Sequence, residues 1–127
     1  MDPFTIVAIV LLAFEAVYNA WEFSMVYRLH KDKAKFMEGH SQIGEASELV
    51  AFVLAGVLLY LSKFNVVIVG AVTVIGLYHV GGAIANKDSI SKMSNDMVKK
   101  LSFIVMSMCA IEVIFSSYVI LTIITMP

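Results

Sequence analysis

The chain of 127 residues is long enough for one domain, and 60% of its residues are hydrophobic while only 15% are charged. Its mean hydropathy of +0.87 is far above that of soluble domains and favours a membrane protein. A net charge of −1 argues against nucleic acid as a partner, and the single cysteine, Cys109, excludes an intramolecular disulfide and a Cys-x-x-Cys motif.

Four apolar runs follow one another along the chain. Each is close to the ~20 residues that a helix needs to cross a hydrocarbon core ~30 Å thick. The sequence therefore predicts an all-α integral membrane protein, a single domain over 1–127 built as an antiparallel bundle of four transmembrane helices. The predicted helices cover about 3–27, 41–62, 66–85 and 101–125.

Local signals support these boundaries. Asp2 followed by Pro3 is typical of a helix start. Because Asp2 stands where a signal peptide would carry positive charge, we expect the first helix to be retained. The run at 66–85 is rich in β-branched residues, but its length favours a helix over a strand. The short turn at 62–65 makes its two neighbouring helices antiparallel.

Basic residues are divided unequally between the two ends of the predicted helices. The connectors 28–40 and 86–100 hold eight of the nine Lys and Arg residues, and Lys63 is the ninth. By the positive-inside rule both connectors are cytoplasmic and both termini are outside the cell membrane.

The first predicted helix carries a polar stripe. Glu15, Tyr18, Asn19 and Glu22 are spaced i, i+3, i+4 and i+7, so they share one helix face. A charged side chain at the bilayer centre costs about 2.5–3.5 kcal/mol on insertion scales. This face must therefore point toward protein or water and away from lipid.

The other helices place titratable groups at matching depths. Counted from the cytoplasmic helix ends, Glu22, Glu48 and His79 lie ~9–10 Å deep, and Glu45 lies nearer the surface. At a second level ~18–20 Å deep, the sequence places Glu15 and Glu112. The rest of the outer half is apolar, which indicates a site or half-channel open to the cytoplasm and closed outward by packing.

These groups indicate cation chemistry. Carboxylates and an imidazole suit protons or ions such as Mn²⁺, Fe²⁺ and Zn²⁺, and the helices offer no Lys or Arg to neutralise the acids. The cofactor is not fixed by the sequence. A divalent metal ion is one candidate, and Glu22, Glu48 and His79 are its candidate ligands. The candidate cation-binding or proton-relay residues are Glu15, Glu22, Glu45, Glu48, His79 and Glu112, with Tyr18, Asn19 and Cys109 as supporting polar groups.

Two other interpretations of the buried acids stay open. The acids are protonated and only hydrogen-bond across helices, or they pair with a partner subunit. The first function hypothesis is a transporter, channel or relay subunit for protons or a divalent metal. The alternative is a non-catalytic accessory subunit of a larger membrane enzyme complex of the respiratory or oxygenase type.

Known catalytic metal patterns are missing from the sequence. It has no Glu-x-x-His pair for a di-iron bundle, and one intramembrane histidine is too few for a bis-histidine haem. We therefore expect a protein that is not catalytic on its own. Its expected partners are the lipid bilayer and either further copies of the chain or other membrane subunits.

Residues 41–86 combine a glutamate early in the second helix, a short turn and a glycine-dotted third helix. In these features the segment resembles the DoxX-like four-helix membrane proteins. The resemblance covers about a third of the chain. It implies the four-helix membrane fold and transfers no residue role.

The charge asymmetry makes a prediction about orientation. A cysteine introduced near Lys92 should react with a membrane-impermeant thiol reagent only from the cytoplasmic side. A cysteine near Asp2 should react only from outside, because the basic connectors stay in the cytoplasm. The reverse labelling pattern would contradict both the orientation and the cytoplasmic half-channel.

Overall fold

A computed structural model describes residues 1–29 and 41–125, with the side chains of Leu29 and Lys87 excepted. Helices and short turns account for these two ranges, and no strand occurs in them. The helices are α1 (Pro3–Leu29), α2 (Gln42–Leu61), α3 (Val66–Tyr78), α4 (Val80–Ile84), α5 (Lys87–Ser91) and α6 (Asn95–Thr125).

Four segments of the described chain are long and apolar enough to cross a membrane: Pro3–Arg28, Gln42–Leu61, Val66–Ile84 and Asn95–Thr125. The predicted all-helical class and its four candidate spans are therefore confirmed. The antiparallel arrangement with both termini outside stays a prediction. Most of the first basic connector, residues 30–40, lies outside the described residues.

The last helix begins earlier than the sequence predicted, at Asn95 instead of about 101. The Ser94 hydroxyl accepts a hydrogen bond of 3.2 Å from the backbone N–H of Met97, as a helix cap does. The hydropathy pattern did not indicate the turns between Asn95 and residue 101, because they are polar on one side. Val98 nevertheless lies buried among apolar neighbours and holds these turns against the rest of the protein.

The third span, predicted as one helix over 66–85, is interrupted at His79. Its backbone has φ −74° and ψ −6°, and its N–H donates to the carbonyl of Gly76, three residues back. This tight turn separates α3 from α4 inside the apolar segment. Irregular turns within helices are common at functional sites.

The start of α1 and the end of α2 lie side by side. Asp2 Oδ1 accepts hydrogen bonds from the backbone N–H of Thr5 at 2.8 Å and from the Ser62 hydroxyl at 3.0 Å. The bond from the Thr5 backbone holds the pKa of Asp2 below its usual value. The helix cap predicted at Asp2 therefore also joins two helix ends.

Two apolar clusters lie at opposite ends of the helices. The terminal-side cluster lies near the start of α1 and the end of α6 and consists of Ala8, Leu12, Phe52, Ala55, Leu59, Val72, Val119 and Ile123. The loop-side cluster, near the connectors, consists of Val26, Ile90 and Val98. The buried acids and His79 lie between the two clusters along the helices.

Helices α2 and α3 approach closely where small residues meet. A Cβ added at Gly76 would lie 2.8 Å from Phe52 Cβ and 3.1 Å from the backbone nitrogen of Val53. At Gly70, on the same helix, an added Cβ would meet nothing within 4 Å. Of these two glycines of α3, only Gly76 is therefore needed for helix packing.

This difference predicts the effect of two matched substitutions. Gly76→Ala should lower stability by about 1–3 kcal/mol, because the new methyl overlaps α2 backbone that cannot move freely. Gly70→Ala should be neutral or stabilising by about 0.5–1 kcal/mol, because alanine favours the helix and has room. Thermal unfolding of both variants in the same detergent measures this difference in stability. Equal melting temperatures would contradict the role of Gly76 in the contact between α2 and α3.

Candidate cation site

His79 lies at the centre of the buried polar layer, at the break between α3 and α4. Its Nδ1 is 2.6 Å from Glu45 Oε2 and 3.3 Å from Glu48 Oε2, both on α2. Its Nε2 is 2.7 Å from Glu112 Oε1 on α6. One imidazole therefore connects carboxyl groups of two other helices, and its side chain is only 4% exposed.

Aromatic rings hold the imidazole in this orientation. The Phe52 ring is nearly parallel to it, with an interplanar angle of 3° and centroids 6.0 Å apart. The Tyr78 ring meets it edge-on at 5.4 Å. With two aromatic rings beside it and both nitrogens in contact, His79 has little freedom to rotate.

Glu45, Glu48 and His79 form a compact group, called here the acid–imidazole group. One ligand atom from each residue lies within 4.8 Å of the other two. Glu48 is 1% exposed, and neither of its carboxylate oxygens accepts a hydrogen bond from a donor in the described residues. Buried carboxylates normally have such donors, so Glu48 is stable here only as the neutral acid or beside a cation.

Two more carboxyl groups of α1 adjoin this group. Both lie near enough to interact electrostatically with the acids and the imidazole of the layer. Glu15 is 1% and Glu22 8% exposed. These two α1 acids therefore add to the negative charge around the acid–imidazole group.

The predicted supporting residues lie at the edges of the layer. Asn19 is fully buried, and its amide donates to the backbone carbonyl of Glu15 at 2.8 Å. The Tyr18 hydroxyl lies against Gly44 at the start of α2. Cys109 is a buried free thiol on α6. Asn19 thus positions Glu15, while Tyr18 and Cys109 lie at the boundary of the layer.

The charges of the layer do not balance. Five carboxyl groups (Glu15, Glu22, Glu45, Glu48 and Glu112) surround one imidazole, and none of the described Lys and Arg side chains is buried. Even when it is protonated, the imidazole compensates the charge of only one carboxylate. Because each unpaired charge costs several kcal/mol in such an environment, protons or bound cations must neutralise the remaining acids.

A cavity of about 290 Å³ adjoins the layer. Glu22, Glu45, His79 and Glu112 line its polar wall. Its apolar wall comes from the loop side and includes Ile90, Met93, Leu101, Val105 and Met108. The cavity is large enough for several water molecules, so the acid–imidazole group has an accessible side.

The geometry differs from the predicted arrangement in two respects. Glu112 was expected at a deeper level than His79, but the two side chains are in contact. The depth estimate did not indicate this contact, because counting residues from helix ends ignores how far each helix is shifted along its neighbour. Glu45 in the first turn of α2 and Glu112 near the middle of α6 meet at the same imidazole.

The second difference concerns the ligand set. The sequence favoured Glu22 with Glu48 and His79, whereas the compact group contains Glu45 in place of Glu22. The spacing of Glu45 and Glu48, i and i+3 on one helix, was the available signal for this pair. Glu45 was undervalued because a glutamate in a first turn often only complements the helix dipole.

The structure also has an apolar layer on the side where the half-channel was expected to open. The terminal-side cluster provides the apolar packing that was expected beyond the acids. The loop-side cluster, with Ile90 on α5, adds a second apolar layer on the other side. The polar layer thus has apolar residues at both ends, and its cavity runs alongside α5.

Comparisons of the chain with protein-family models, with curated proteins and with solved structures found no match. The resemblance of residues 41–86 to DoxX-like proteins therefore stays an expectation.

Proposed function

We propose that this chain is a small multi-pass membrane protein that handles a cation, either a proton or a divalent metal ion, as a transporter, channel or relay subunit. The observation that supports this most strongly is Glu48. It is a buried carboxylate beside an imidazole and two further carboxyl groups, and no described donor bonds its oxygens. A cation is the chemical partner that such a group lacks.

The burial of the acidic side chains inside their own chain favours this function over that of an accessory subunit. Glu15, Glu22, Glu48 and Glu112 are each at most 8% exposed, so they face the interior of their own chain. An acid that pairs with a partner subunit would lie on the lipid-facing surface. That surface is instead apolar, with residues such as Val10, Val17 and Leu121 exposed.

The proposal includes an orientation in the cell membrane. Residues 86–100, with Lys92, Lys99 and Lys100, lie in the cytoplasm together with connector 28–40, and both termini lie outside. The distribution of basic residues supports this arrangement. The cavity beside α5 then gives the acid–imidazole group access from the cytoplasmic half. Because four helices enclose little volume, the transporting unit is a homo-oligomer or includes other membrane subunits.

The central experiment compares the wild type with Glu48→Gln, which keeps the shape of the side chain and removes its charge. Proton uptake into vesicles containing the purified protein, or its bound metal content, should fall strongly because only a carboxylate neutralises a cation. Asp96→Asn is the matched control, since Asp96 is an exposed acid in the first turn of α6 and should have no effect.

Other results would contradict cation handling. If Glu48→Gln leaves both proton uptake and metal content unchanged, the acids only hydrogen-bond across helices. If the isolated variant behaves like the wild type but loses a co-purifying membrane subunit, the accessory-subunit hypothesis is correct instead.

A second prediction uses two adjacent glycines of α4. A Cβ added at Gly82 would lie 2.7 Å from the Glu45 carboxyl carbon, whereas at Gly81 it would meet nothing within 4 Å. Gly82→Ala should therefore displace the Glu45 carboxylate from His79 and reduce cation binding or uptake. Gly81→Ala should retain both. Equal activities of the two variants in the vesicle assay would show that the Glu45 position does not matter.

A further inference from the structure

We infer that Glu45, Glu48 and His79 bind one divalent transition-metal ion of the Mn²⁺, Fe²⁺ or Zn²⁺ class through His79 Nδ1, and that Glu112 positions the imidazole. This inference rests on the proposed function and specifies which cation the site takes. It concerns the metal ligands and their orientation, which the proposed function leaves open.

The donor atoms suit such an ion in type and in spacing. One imidazole nitrogen and two carboxylates form a mixed nitrogen and oxygen set, which prefers borderline metals over soft copper(I). Donors bound to one zinc ion at ~2.0–2.2 Å lie at most ~4.4 Å apart. Because the three donors already lie within 4.8 Å of one another, small side-chain movements suffice.

Contacts of the second ring nitrogen determine which nitrogen faces the ion. When Nε2 carries the proton of the neutral imidazole, it donates to Glu112 Oε1 at 2.7 Å. The lone pair is then on Nδ1, which points at Glu45 and Glu48. A carboxylate that accepts from the outer nitrogen of a metal-binding histidine fixes its tautomer and strengthens it as a ligand.

The site also has a second, independent indication of a ligand. Glu48 is a 1% exposed carboxylate that is directed at Nδ1, and no described donor bonds either of its oxygens. A metal ion bound to Glu48 would supply the positive charge that this buried carboxylate needs.

The ion keeps one accessible side. Glu45 and His79 line the cavity of about 290 Å³, and Glu48 lies behind them, outside its lining. Three protein ligands with space for water at a fourth position are typical of exchangeable metal sites, whereas four protein ligands are typical of closed structural ones. The bound ion should therefore exchange with free ions through the cavity.

The test uses the purified full-length chain in detergent with Co²⁺ as the probe, because its visible absorption reports the ligands, and with Zn²⁺ as competitor. The wild type should bind one Co²⁺ per chain and release it to Zn²⁺. Glu112→Gln should weaken binding ~10–100-fold without changing the shape of the absorption bands, since the ligands stay the same. Glu48→Gln should weaken binding further and change the bands.

Two additional variants separate these effects from misfolding. Ser116→Ala removes a fully buried hydroxyl without a described partner, one turn from Glu112 on the same helix, and should bind Co²⁺ like the wild type. Glu48→Asp keeps a carboxylate and should bind more tightly than Glu48→Gln. Thermal unfolding of each variant without metal identifies any that are not folded.

Three outcomes overturn the inference. The first is that the wild type shows no saturable Co²⁺ binding. The second is that Glu48→Gln leaves the Co²⁺ affinity unchanged, and the third is that Glu112→Gln does so. The proposed function is assessed separately by proton uptake in metal-free vesicles. If uptake depends on Glu48 while Co²⁺ does not bind, the metal inference fails and proton handling stands. If neither proton uptake nor metal binding is found, both fail.

Discussion

The contact of His79 with carboxyl groups on two other helices is the interaction on which the rest of the buried layer depends. Glu45 and Glu48 reach its Nδ1 from α2, and Glu112 reaches its Nε2 from α6. In a low-dielectric interior such charge-assisted contacts are strong when complete and costly when a partner is missing. The imidazole therefore joins the helices, and any change in the charge of the group affects packing and chemistry together.

The surroundings of this group explain how so many acids are accommodated. Apolar clusters at both ends of the layer keep the carboxyl groups away from bulk water along the helix direction. The cavity beside α5 adjoins them from the side and is large enough for water. The break at His79 contributes as well, because α4 then brings Gly82 against Glu45 where a larger residue would not fit. Backbone irregularity at membrane depth is tolerated where it is buried or lines such a cavity.

Much of the fold was predictable, because the length and hydropathy of the four apolar runs dominate over local detail. Less of the site was predictable. The helical spacing of Glu15 and Glu22 correctly indicated a buried face, since lipid excludes charge whatever the tertiary structure. The contact between His79 and Glu112 could not be derived, because it depends on how far each helix is shifted along its neighbour. The inclusion of Glu45 in the acid–imidazole group depends on the same shift, together with the small residue Gly82 opposite it.

The number of buried acids is the argument for the proposed cation-handling role over a purely structural one. If hydrogen bonding across helices were the only role, neutral side chains such as Asn or Gln would provide it without the cost of burying a titratable group. One glutamate paired with His79 would suffice to connect two helices. Here five carboxyl groups meet around one imidazole, and Glu48 retains two oxygens without a described donor. Such an excess of buried acids is stable only while protons or a cation neutralise their charge. In the proposed function, the folded state is therefore coupled to the binding of those ions.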